Sequence, residues 1–374
     1  MHLRGGRFDI QMGDDMTNAG VLADHQIRDM IASGGIAAEA PIEDGQIQPA
    51  SLDLRLGRTA YRVRASFLAG RQRTVKDRLA DIQMHTVDLT GGAVLEKGCV
   101  YVVPLMERLT LPTGMTAAAS AKSSIGRLDL LTRIITDHGV EFDRVPEGYD
   151  GPLYVEICPR SFSVVASPGQ MLNQIIFRRG KTLMSDDDLR ALHALTPIVS
   201  GEPVISDGLG FSVDLEPADG TLVGYRAKPH TGVVDLAKHD HYDPADFWEE
   251  VHTRHGWIIL DPGAFYILVS REAIVIPPLQ AAEMAPYIAM VGEFRVHYAG
   301  FFDPGFGYAE AGGSGSRGVL EVRCHEAPFV LEHGQIVGRL VYEHMAALPA
   351  ALYGREIKSN YQGQGLKLSK HFKS

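Results

Sequence analysis

Apolar and polar residues alternate in short runs along most of this chain. "QPASLDLRLG" places Leu52, Leu54 and Leu56 on one face of a strand. "CVYVVPL", "LLTRII", "LYVEI" and "QIIFRR" are short β-branched and aromatic runs, and "LTGG", "LPTG" and "SPGQ" are turns between them. Helical periodicity is confined to three places. "LADHQIRDMIASGG" has Asp24 as a candidate N-cap, apolar Ile27, Met30 and Ile31, and a Gly-Gly stop. "SDDDLRALHALTP" (Ser185–Pro197) and "YDPADFWEEV" (Tyr242–Val251) read as short helices, the second with Asp243 as cap and Pro244 at the first helical position. The 40 glycines and 20 prolines fit many turns, so the pattern is all-β with a few short helices.

The pattern also repeats. "LEKGCVYVVPLMERLTLP" from Leu95 matches "LDPGAFYILVSREAIVIP" from Leu260, an offset of 260 − 95 = 165. The same offset pairs "LYVEI" with "GVLEV" and "SPGQM" with "EHGQI", and "SLDL" (Ser51–Leu54) resembles "SVDL" (Ser212–Leu215). A domain-sized period predicts two related units in tandem rather than a solenoid. They are placed at 21–184 and 204–350, joined by a helical linker at 185–203, with a flexible N-terminal tail at 1–20 and a C-terminal tail at 351–374.

Charge and cysteine content narrow the functional classes. A net charge of −10 argues against a general nucleic-acid binder, yet leaves room for a small anion at a local basic cluster. Three widely spaced cysteines form neither a disulfide framework nor a Cys-x-x-Cys zinc site. With no signal-like or membrane-length apolar run, a cytoplasmic protein without membrane partners is expected.

Three groups carry candidate chemistry. "AKSSIGRLDL" gathers Lys122, Ser123, Ser124 and Arg127, the ammonium, hydroxyls and guanidinium that phosphate oxygens accept from. It is not a P-loop, and by itself it reads better as a solvated turn with two incidental charges. At the 165 offset the second unit places Tyr287, Ile288 and Gly292 there, so the fold does not require the cluster. "YAGFFDPGFG" makes a tight turn around Asp303, whereas the first unit has the longer "TDHGVEFDRVPEGYDG". Glu156 and Glu321 lie at 321 − 156 = 165 in apolar strands. A desolvated carboxyl there suits a general base or acid; an edge glutamate facing water is the plainer alternative.

"QPASLDLRLG", "KSSIGRLDLL", "AGFFDPGF", "VLEV" and the tail "NYQGQG" (Asn360–Gly365) together resemble the dCTP deaminase family, related to trimeric dUTPases, in a long two-domain form. The resemblance implies two tandem dUTPase-like distorted β-barrels of jelly-roll type. It implies hydrolytic deamination of dCTP to dUTP and ammonia by a glutamate-activated water, with Mg2+ accompanying the triphosphate and no zinc. In step with that, the H-x-E and P-C-x-x-C motifs of zinc deaminases are absent. Carried over by residue, Ser123, Ser124 and Arg127 match the serine-arginine segment, and Lys122 stands where arginine is common. Asp303 matches the sugar-facing aspartate, Glu321 beside Val319 and Leu320 the catalytic glutamate, and Tyr361 and Gln364 the nucleotide-capping tail. Asn360 replaces a customary lysine. Glu321 is favoured over Glu156, whose unit lacks the clean turn and tail. Each unit has lost what the other kept, which predicts one composite site in which Arg127 holds Glu321 ionised. The resemblance leaves open a dUTPase or bifunctional activity, a catalytically inactive nucleotide-binding regulator, dTTP as inhibitor, and a homo-oligomer.

Overall fold

A computed structural model describes residues 19–218, 220–286, 294–297, 300–354, 357–358, 363 and 365–373. The chain forms two β-units. In the first, Met171–Arg179 is flanked by Gly20–Val21, Leu52–Arg55 and Met115–Ala121, which faces a second sheet built on Val100–Thr110, Asp150–Pro159 and Leu130–Thr136. In the second, Ile336–His344 pairs with Leu209–Ser212 and Gln280–Pro286, and the facing sheet runs Trp248–His252, Leu222–Ala227, Phe265–Ile274, Ser316–Cys324, Phe294–His297. Core strands recur at the expected spacing: Met115 and Gln280 open equivalent strands (280 − 115 = 165), as do Met171 and Ile336 (336 − 171 = 165).

The "SLDL"/"SVDL" match is not a structural equivalence. Leu56 N–H donates to Gln170 O, and Val213 N–H donates to Gln335 O. The acceptors differ by 335 − 170 = 165 and the donors by 213 − 56 = 157, so the two motifs occupy different registers. Backbone pairing, not local similarity, fixes register.

Other boundaries also move. Gly20 pairs with Arg179, so the N-terminal tail ends before it. Asp24 is the first helical residue rather than the cap of Asp24–Ala32, and its buried carboxylate accepts N–H bonds from Ala350 (2.9 Å) and Ala351 (3.3 Å). It therefore fastens the chain leaving the second unit to the start of the first. The helix at Tyr242 is only Pro244–Phe247, capped by Asp243 as expected, because Trp248–His252 is claimed by pairing with Leu222–Ala227. The helix Val75–Ile82 was not anticipated, although Thr74 and Asp77 form a capping box.

A buried ion pair holds the "SLDLRL" strand in place. Arg55 Nε donates to Glu107 Oε1 (2.7 Å), Arg55 N–H to Glu107 Oε2 (2.8 Å), and Gln46 Nε2 to Glu107 Oε1 (3.1 Å). Removing one member strands a desolvated charge. Glu107→Ala is expected to destabilise the fold by about 3 kcal/mol or more. Denaturant unfolding checks this, and a loss below about 1 kcal/mol contradicts it.

One apolar cluster spans both units. Val234, Leu236, Phe247, Trp248, Phe265, Ile267 and Val319 of the second unit pack with the core of the first, together with Leu368 and Phe372 from the C-terminal segment. Val234–Asp235 also pairs in parallel with Val164–Ala166 of the first unit. The outer face of the second unit's sheet is thus sealed against the first unit, and the candidate site residues lie along that seam.

Candidate active site

Strand alternation decides where Glu321 points. Along Ser316–Cys324, Leu320, Val322 and Cys324 enter the second unit's core. Val319, Glu321 and Arg323 take the opposite face, toward the first unit. Val319 joins the shared cluster, and Arg323 Nη2 pairs with Asp129 Oδ2 at 2.7 Å. Between them Glu321 is 5% exposed and lies within electrostatic reach of Arg127, itself 2% exposed. The side chain of Leu320 turns into the second unit's core, which leaves its backbone as the part that could face the site.

The serine-arginine segment forms a single turn, Ser123–Gly126, and leads into Arg127. Arg127 Nη1 donates to Lys367 O (3.1 Å), and Ser124 O accepts from Ser369 Oγ (2.6 Å), so the last residues of the chain fasten this segment from outside. Lys122 forms an ion pair with the buried Asp53. Asp303 is 8% exposed, and its Oδ1 accepts the N–H of Ala50 at 3.2 Å. The Asp-Pro-Gly turn is tightly specified. Gly305 has φ 98°, and a Cβ there would lie 2.9 Å from Leu352 and Tyr353 atoms. Tyr353 N–H donates to Pro304 O (2.9 Å). Glycine supplies both the left-handed backbone and the space.

The electrostatics depart from expectation in one respect. Burial pushes the Glu321 carboxyl up to about 8; the Arg127 guanidinium and a backbone N–H oppose this without reversing it. Burial likewise pushes Asp303 up to about 7, against the Ala50 N–H, with the neighbouring Asp53 adding to the rise. Burial also raises Asp53, against the attraction of Lys122. Burial thus disposes two carboxyl groups to hold a proton, Glu321 beside Arg127 and Asp303 near Lys122, while Asp53 is held in its ion pair with Lys122.

Glu156 is placed differently. Its Oε1 pairs with Arg133 of its own unit (2.5 Å), and Arg133 also donates to Ser66 Oγ (2.9 Å). Tyr154, two residues away on the same face, is buried under Val63, Ala69, Val75 and Leu79. The segment around Val75–Ile82 covers the face that, in the second unit, meets the serine-arginine segment. Lys122, Ser123, Ser124, Arg127, Asp303, Val319 and Glu321 come from the two units at one seam, and Glu156 stands apart. Tyr361 and Gln364 lie outside the described residues. Asp53 was missed as a site residue, although a carboxylate inside the alternating "SLDLRL" was the available signal. Among the described residues no group of three or more His, Cys, Asp or Glu side chains could hold a metal ion, and no helix is long and apolar enough to cross a membrane.

Comparison with known proteins covers both units. Residues 18–181 match the family model of the 2'-deoxycytidine 5'-triphosphate deaminase (DCD) N-terminal domain, and residues 185–372 that of the DCD C-terminal domain. A dCTP deaminase of Halorubrum lacusprofundi is 30% identical over 166 residues, 43% of this chain and 78% of that protein. A "dCTP deaminase, dUMP-forming" of Coprothermobacter proteolyticus is 29% identical over 162 residues, 42% of this chain and 81% of that protein. The crystal structure of 2'-deoxycytidine 5'-triphosphate deaminase from Agrobacterium tumefaciens superposes with a TM-score of 0.85 at 56% identity, covering 88% of this chain and 99% of that one.

Proposed function

The chain belongs to the 2'-deoxycytidine 5'-triphosphate deaminase family, and we propose that it deaminates dCTP in one composite cleft per chain, with Glu321 as the general base. The juxtaposition of Glu321 from the second unit with Arg127 from the first supports this reading.

In the proposed cycle the ionised Glu321 takes a proton from water as the oxygen attacks C4 of the cytosine ring. Glu321 passes that proton to N3, then takes the proton of the new C4 hydroxyl and delivers it to the amine, so the C4–N bond breaks, ammonia leaves and the C4 carbonyl forms. Ser123 orients the water. Arg127 stabilises the carboxylate form of Glu321 at the moment it is needed, and fixed placement of water against C4 lowers the barrier as a proximity effect. Asp303 reads the deoxyribose, and Lys122 and Ser124 hold phosphate. Magnesium, bound to the triphosphate as part of the substrate, would offset its charge while Lys122 and Ser124 hold the phosphate. We place the reaction in the cytoplasm and read the 165-residue spacing of equivalent strands as a tandem duplication whose copies shed complementary halves of the site.

Incubating the protein with Mg2+ and dCTP tests the reading. Equal amounts of ammonia and dUTP are expected. Release of dUMP and pyrophosphate assigns a bifunctional enzyme instead, and tight dCTP binding without ammonia assigns a regulator.

A further inference from the structure

The C-terminal residues do more than close the chain. Leu368 and Phe372 are buried in the shared core, Ser369 Oγ donates to Ser124 O (2.6 Å), and Asp240 N–H donates to Lys370 O (2.9 Å). His241 N–H donates to His371 O (3.0 Å), and Phe372 bridges to Tyr242 in parallel. Lys370 is thus pinned on both sides, one residue from the contact to the phosphate-binding turn. Its half-buried ammonium lies within electrostatic reach of Lys122 and Asp53.

The local charge is unbalanced. Asp53 is the ion-pair partner of Lys122. No ion pair among the described residues includes Lys370. Two ammonium groups therefore share one carboxylate, in partly desolvated surroundings where their repulsion is weakly screened. Lys370 also lines a cavity of about 550 Å³ together with Lys367, Lys373 and His239, with Asp240 as its carboxylate. An anion placed between Lys370 and Lys122, rather than deep in that cavity, would be attracted by both ammonium groups at once.

We propose that Lys370, carried by the anchored end of the chain, binds the β- or γ-phosphate of the nucleotide beside Lys122. The proposal rests on the dCTP-deaminase reading for the identity of the nucleotide, and not for the anion chemistry.

The test compares Lys370→Met, which keeps the aliphatic stem, Lys370→Arg, which keeps the charge, and Lys76→Met, an exposed lysine on the remote helix Val75–Ile82. Steady-state kinetics are measured with dCTP and dCMP, and binding of inorganic tripolyphosphate is measured by calorimetry. Lys370→Met is expected to raise KM for dCTP about tenfold or more, as for loss of a hydrogen bond to a charged group. KM for dCMP and kcat should stay within about threefold, Lys370→Arg should recover most of the loss, and Lys76→Met should behave as the parent. Tripolyphosphate affinity should fall in step with the dCTP effect. If kcat drops equally for both nucleotides with a lowered Tm and unchanged tripolyphosphate binding, Lys370 is an anchor and the proposal is overturned. If the parent protein releases no ammonia from dCTP, the functional reading fails, and the tripolyphosphate measurement still decides Lys370.

Discussion

Glu321→Gln is expected to reduce ammonia release from dCTP by about 100-fold or more, while Glu156→Gln stays within about threefold of the parent. The two glutamates occupy equivalent strands at 321 − 156 = 165, so sequence alone treats them as twins. Their surroundings differ. The outer face bearing Glu321 is pressed against the unit that carries Ser123 and Arg127, whereas the face bearing Glu156 is covered by its own unit's segment around Val75–Ile82 and neutralised by Arg133. The amide of Glu321→Gln keeps the shape and hydrogen-bonding reach of the carboxyl and loses only its ability to take a proton. A fall in kcat with little change in KM then marks a role in the chemical step. The opposite ranking of the two variants would mean that the productive seam is not the one between the two units of one chain.

Much of this arrangement was legible before any coordinates. The 165-residue repeat gave the order of the strands, because apolar alternation survives when individual residues do not. The proposed division of labour between units rests on what each lacks in sequence: at the 165 offset Lys122, Ser123 and Arg127 have no counterpart in the second unit, and the Asp303 turn has none in the first. What stayed hidden depends on which faces meet. Leu320 and Glu321 are adjacent in sequence and point into different environments, and only the seam shows which one faces the partner unit. Asp53 and Lys370 interact across 370 − 53 = 317 residues, a separation with no periodic signature. The "SLDL" and "SVDL" motifs look equivalent because both alternate, yet their hydrogen bonds place them in different registers.

The burial that protects Glu321 also predicts how activity and stability vary with pH. Activity requires the carboxylate, and burial pushes the carboxyl up to about 8, so kcat/KM should climb about tenfold per pH unit from the neutral range and level off above about 8. Asp303, pushed up to about 7, adds a lower inflection that Asp303→Asn should remove while preserving the acceptor for the Ala50 N–H. Stability runs the other way. The folded protein retains the Glu321 proton from its ordinary value of 4.5 up to about 8, while the unfolded chain has released it. The folded state therefore binds more protons across that window, and its stability from this group, full below the unfolded value, is lost as pH rises through it. Glu321→Gln, neutral throughout, should melt at a temperature close to the parent at pH about 5 and progressively above it toward pH about 9. A variant that is inactive yet increasingly more stable than the parent as pH rises would show that ionising this one buried carboxyl costs stability and serves catalysis. Parallel melting curves across the range, or a kcat/KM profile flat from about pH 6 to about 9, would mean that Glu321 already stands ionised in the free protein and that the Arg127 guanidinium outweighs burial after all.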